Sequence, residues 1–113
     1  MRLVRVVLDH IPPDRTPSPP DQRITAQLVL DAQDRLDHHS GIAFGFYGSL
    51  KMPEIYPFVV QDGELRFSAN DEADVSWNLQ DHPVRIGEFV TTVDDGEELT
   101  YEIVEVAELM HQA

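Results

Sequence analysis

The chain has 113 residues, with 21 Asp and Glu against 8 Lys and Arg, a net charge of -13 and no Cys. That length fits one domain, 1–113, large enough to bury roughly two-thirds of its unfolded surface and so to fold without metal or disulfide. The charge sets aside nucleic acid and anionic membrane surfaces as partners, since both are held by clustered Lys and Arg, and the missing thiols exclude disulfides, zinc thiolates and cysteine catalysis.

Residues 2–8, RLVRVVL, alternate as a strand, with Val4, Val6 and Leu8 on one side and Leu3, Arg5 and Val7 on the other. Apolar residues on both sides predict a strand buried on both faces or held between neighbours. The apolar run is too short for a signal peptide, and no stretch approaches the ~18 apolar residues of a membrane span. A cytoplasmic setting fits. Residues 11–21, IPPDRTPSPPD, hold five prolines, which remove five backbone donors and favour polyproline II. Pro17-Ser18-Pro19-Pro20 has the spacing that aromatic-lined grooves accept, but a stiff surface loop between strands is the simpler reading.

In 23–32, RITAQLVLDA, the apolar residues fall on Ile24, Ala26, Leu28, Leu30 and Ala32, while a helical stripe would catch only half of its positions. Strand is predicted, with a turn near Gln33 and Asp34. The even phase continues through Leu36, His38, Ser40, Ile42, Phe44 and Phe46, so 36–47 is the expected partner strand with Phe44 and Phe46 in the core. Its odd side is small. Gly41, Gly45 and Gly48 would let another backbone approach closely or allow the bending that a barrel requires.

After a connection at 48–57 comes FVVQDGELRF, residues 58–67. Asp62-Gly63 fits the centre of a type I′ turn and pairs Val60 with Leu65 and Phe58 with Phe67, apolar against apolar. Asn70, Asp71, Glu72 and Asp74 then form an acidic loop, with room for one helical turn at 70–74, before a short strand through Val75, Trp77 and Leu79. The clearest pattern is a hairpin at 84–106, VRIGEFVTTVDDGEELTYEIVEV. A three-residue loop of Asp94, Asp95 and Gly96 pairs Val93 with Glu97, Thr91 with Leu99 and Phe89 with Tyr101, which gathers the apolar residues on one face. A two-residue Asp95-Gly96 loop would set Phe89 against Glu102 instead. Gly87, where the apolar phase changes, marks a bulge or tight bend. The tail AELMHQA fits either a continued strand or a short helix. The expected fold is all-β, a small antiparallel barrel or sandwich of about six to eight strands.

Chemical motifs are sparse. His38 and His39 are adjacent, so on a strand they point to opposite faces and cannot share an ion. The acidic stretch 70–74 lacks the Gly and register of a calcium loop. Ser40, Ser49, Ser68 and Ser76 lie in no nucleophile-elbow motif, and no phosphate-binding glycine pattern occurs. No metal and no cofactor is expected, and nothing positive supports an enzyme. The single Lys51 beside seven Arg reads as a compositional bias of the source.

Three functions compete. The first is a non-enzymatic acidic module, of inhibitor or immunity type, binding a basic protein surface through the hairpin tip Asp94, Asp95, Glu97 and Glu98 and the loop Asp71, Glu72 and Asp74, with Trp77 as an anchor. Solubility is the simpler account of the charge, and burial the simpler account of Trp77. The second is a small-ligand or catalytic barrel whose pocket is lined by 41–48 and by His38 or His82 with carboxylates. The third is an oligomer-forming domain in which strand 2–8, as an unpaired edge, pairs with a second copy.

Overall fold

The computed structural model describes residues 1–12, 23–37, 39–48, 55–67, 75–94 and 96–111. Its strands are β1 (Arg2–His10), β2 (Arg23–Leu30), β3 (Ala43–Tyr47), β4 (Tyr56–Gln61), β5 (Glu64–Phe67), β6 (Val75–Trp77), β7 (Phe89–Asp94) and β8 (Glu97–His111). They follow one another in chain order, each antiparallel to the next, and β8 returns to pair with β1, so the sheet closes as an eight-stranded barrel. Among the described residues no helix is long and apolar enough to cross a membrane. Most of the Pro-rich stretch 11–21 and all of Asp71, Glu72, Asp74 and Asp95 lie outside the described residues.

β1 carries the alternation that its sequence predicts. Val4, Val6 and Leu8 are fully buried and form one stave of the core. The strand is paired along both sides, to β2 and to β8. Residues 2–8 are therefore not an edge, and closure removes the strand addition by which a second copy was expected to pair there. Two register shifts on β8 leave Val104 and Leu109 without an opposite residue on β1. Such bulges bend and twist a strand, which helps a 15-residue β8 wrap the barrel. The tail continues this strand as far as His111.

Two hairpins test the turn arguments. Asp62 and Gly63 both have positive φ, 53° and 77°, as a type I′ turn demands, and Phe58 faces Phe67 while Val60 faces Leu65. The second hairpin is corrected. It spans Phe89–Asp94 and Glu97–His111, and its register is that of the two-residue Asp95-Gly96 loop: Asp94 pairs with Glu97, Thr92 with Leu99, Val90 with Tyr101 and Phe89 with Glu102. Val90, Thr92 and Asp94 therefore share the inner side with Leu99, Tyr101 and Ile103, and Phe89 points outward, 55% exposed. The short loop suits the right-handed twist of the strands, and the hydroxyl of Thr92 is tolerated inside. Residues 84–88 are not strand, and Gly87 (φ 93°) makes a tight bend whose N–H donates to the Ile103 carbonyl.

The partner of β2 is also corrected. Only Ala43–Tyr47 of the expected 36–47 is a strand, with Leu36 forming a single bridge to Leu30. The intervening turn reverses the phase, so Ala43, Gly45 and Tyr47 face inward opposite Leu28, Ala26 and Ile24. Phe44 and Phe46 face outward. Gly45 decides this. A Cβ there would sit 2.0 Å from the Thr25 carbonyl oxygen, so only the small side of β3 can press against β2.

One end of the barrel is filled by its own connections. Leu36, Leu79 and Val84 are buried across it, beneath Leu30 and Trp77. Asp34 fastens this plug: its carboxylate accepts from Arg2 and, at 3.1 Å, from Arg85, while its carbonyl accepts the Val84 N–H at 2.7 Å. A single 3-10 turn, Leu79–Asp81, carries Leu79 inward, and Asn78 accepts the Thr91 N–H to join the turn to β7.

Candidate functional site

At the opposite end no described connection crosses the axis. There β3 ends at Tyr47, β4 begins at Tyr56, β5 ends at Phe67, β7 ends at Asp94 and β8 begins at Glu97. Inward parity on these strands leaves a cavity of about 430 Å³. That is within the size range of small-molecule sites, about 300–1,000 Å³. Seven strands contribute to its wall.

Aromatic rings dominate the wall. Phe58 and Phe67, paired across the Asp62-Gly63 hairpin, meet edge to face with centroids 5.7 Å apart. Tyr47 and Tyr56, paired across β3 and β4, lie 6.4 Å apart. Tyr101 enters from β8, its ring edge-on to His10 of β1 at 5.4 Å. Ile24, Leu65, Val75 and Leu99 complete the apolar lining.

The polar groups are few and convergent. Thr92 and Asp94 line the cavity from β7. The Tyr47 and Tyr101 phenols are neighbours in the lining. Burial, first, and then the neighbouring Tyr47 and Asp94 push the ionisation of Tyr101 well above the ordinary tyrosine value of 10.0, so its phenol stays neutral and available as a hydrogen-bonding group. Asp94 and Glu97 face each other on the inner side of the rim and are exposed, whereas Glu98 belongs to the outer side. Among the described residues no cation pairs with any of these three acids.

The residues singled out by sequence separate accordingly. Asp94 enters the cavity, Glu97 stands at its rim and Glu98 points away. Trp77 is 3% exposed and lies edge-on to Phe58 at 6.2 Å, so it is a core residue and offers no surface for a protein anchor. His82 is half-buried on the connection after β6, at the filled end, with Nδ1 unpartnered among the described residues and no carboxylate paired to it. His38 lies outside the described residues. No group of three or more His, Asp or Glu converges on a metal position among the described residues. Among the described residues, the polar groups that line the cavity are phenol, hydroxyl and carboxylate.

Asp94, and Tyr47 within the expected lining 41–48, are the lining residues that the sequence assigns to a site; Tyr56, Phe67, Thr92 and Tyr101 are among those it does not. The signal for one of them, Thr92, is the parity of β7: once Val90 is inward, Thr92 must follow it beside Asp94, a polar pair on an inner face. Comparison with protein families, with characterised proteins and with solved structures finds no match to this chain.

Proposed function

We propose that the barrel binds a small, largely apolar molecule in the cavity at its open end. One observation carries this: an eight-stranded barrel, whose interior is just wide enough either to be filled or to hold one small ligand, is filled at one end and at the other lines a cavity that no described side chain occupies. Apolar walls with a few converging polar groups are the usual make-up of a ligand site. The exposed carboxylates Asp94, Glu97 and Glu98, unpaired among the described residues, lend support to a second reading, in which the rim meets a basic protein surface. Burial of Trp77 leaves that reading without its hot-spot residue.

A neutral apolar dye, N-phenylnaphthylamine, provides the test. The wild-type chain is expected to enhance its fluorescence saturably, with one site per chain. Leu99→Trp, which fills the cavity from the mouth, is expected to weaken dye binding about tenfold or more with the thermal midpoint little changed. Dye fluorescence that never saturates, or that is the same in Leu99→Trp, would rule the site out.

A further inference from the structure

Among the described residues that line the cavity, the formal charge is of one sign. Among the described residues that line it, Asp94 alone bears a formal charge, and Glu97 faces it across the turn. Neither is ion-paired within the described chain. The walls between them are the faces and edges of Tyr47, Tyr56, Phe58, Phe67 and Tyr101, and aromatic faces attract cations through their quadrupole. An anionic headgroup would meet Asp94 as a like charge in a partly desolvated space. A neutral apolar ligand would leave the carboxylate without a counter-charge.

We propose that the cavity selects a hydrophobic organic cation, an amine or ammonium carried on an aromatic or branched apolar body, with the nitrogen against Asp94 and the body between the aromatic walls. This rests on the reading of the cavity as a ligand site and names the class of its ligand. Within the cavity, burial and the neighbouring Tyr47 do most to keep the Tyr101 phenol protonated, and the Asp94 carboxylate adds to them. The net charge of -13 draws cations toward the whole molecule, which raises encounter rates without choosing a site. Asp94 is the residue that makes the choice local.

Displacement of N-phenylnaphthylamine by three compounds of one shape and three charges tests this: phenylbutylamine, phenylbutanol and phenylbutanoate. The amine is expected to displace the dye at a concentration about tenfold or more below that of the alcohol, with the carboxylate weakest. In Asp94→Asn the amine should fall to the level of the alcohol, while dye and alcohol bind as before. Glu98→Gln removes the same unit of charge from the outer side and should keep the amine preference, which separates a local contact from the overall field. Equal displacement by all three compounds, or an amine preference that survives Asp94→Asn or disappears in Glu98→Gln, would overturn the assignment while leaving the ligand site standing. Failure of the dye itself to bind would remove the site, and this inference with it.

Discussion

The two ends of the barrel are made from the same eight strands and do opposite things. At one end, segments 31–42 and 78–88 fold inward, bury Leu36, Leu79 and Val84, and are pinned by Asp34 to arginines from the first strand and from the plug itself. At the other, the strand ends present rings and one carboxylate to a space that no described side chain occupies. Sheet geometry is common to both, so it cannot account for the contrast. What fills the plugged end is that its connections send aliphatic residues, Leu36, Leu79 and Val84, across the axis. The interior of such a barrel is decided by its loops as much as by its staves.

Substitutions at the two ends should separate stability from binding. The largest effect is expected from Leu79→Ala in the plug, a fully buried leucine whose loss should cost about 2–5 kcal/mol in urea unfolding. Leu99→Ala, at the partly exposed mouth, should cost about 1 kcal/mol or less, since its side chain is already half out of the packed core. Equal costs at the two positions would mean that the ends are not energetically distinct. Asp34→Asn comes next. Its carboxylate is about one-third exposed, so solvent screens the two arginines and the loss should be about 1 kcal/mol, shrinking as salt is added.

The smallest effect, at neutral pH, is that of Tyr101. Its ionisation is raised in the folded chain, so below the unfolded value of 10.0 it is protonated in both states and its contribution is fully present. As pH rises above 10.0 the unfolded chain releases the proton while the folded chain retains it, and stability falls progressively toward the folded value. Thermal midpoints followed through the alkaline range should therefore decline in the wild type and decline less in Tyr101→Phe. Ultraviolet titration should show one tyrosine ionising after the others. A Tyr101→Phe profile that falls as steeply as the wild type would place the alkaline sensitivity elsewhere.

How much of this could be read from the residues depended on how many constraints met at each position. At 58–67 the turn type and the apolar phase agreed, Asp62-Gly63 and the Phe58–Phe67 pair each implying the other, and the register follows directly. At 89–102 they disagreed. Aligning Phe89 with Tyr101 asked for a three-residue loop, while Asp95-Gly96 suits a two-residue one, and the turn prevailed by turning Phe89 outward. On β3 the hydrophobic rule pointed to Phe44 and Phe46, but the close approach of Thr25 to Gly45 set the inner face. Glycine as an inward residue has no apolar signature, so periodicity alone misassigns that strand. The cavity was still less legible. Its lining is drawn from seven strands, and it lies where side chains fail to meet, a property of the assembled barrel that no single stretch of chain expresses. Asp94 was noticed for its charge, and only the true register shows that it faces in.

The seam between β1 and β8 has a temporal consequence. Arg2 lies beside His111, so the first strand of the barrel to be made has one flank that only the barrel's eighth can cover. Until then the apolar row Val4, Val6 and Leu8 must wait, half-sheltered by β2, in a cell crowded with other unfinished strands. Topologies dominated by such distant pairings fold slowly, in milliseconds to seconds. A net charge of -13 makes copies of the chain repel one another, which opposes pairing between strands that are not yet covered.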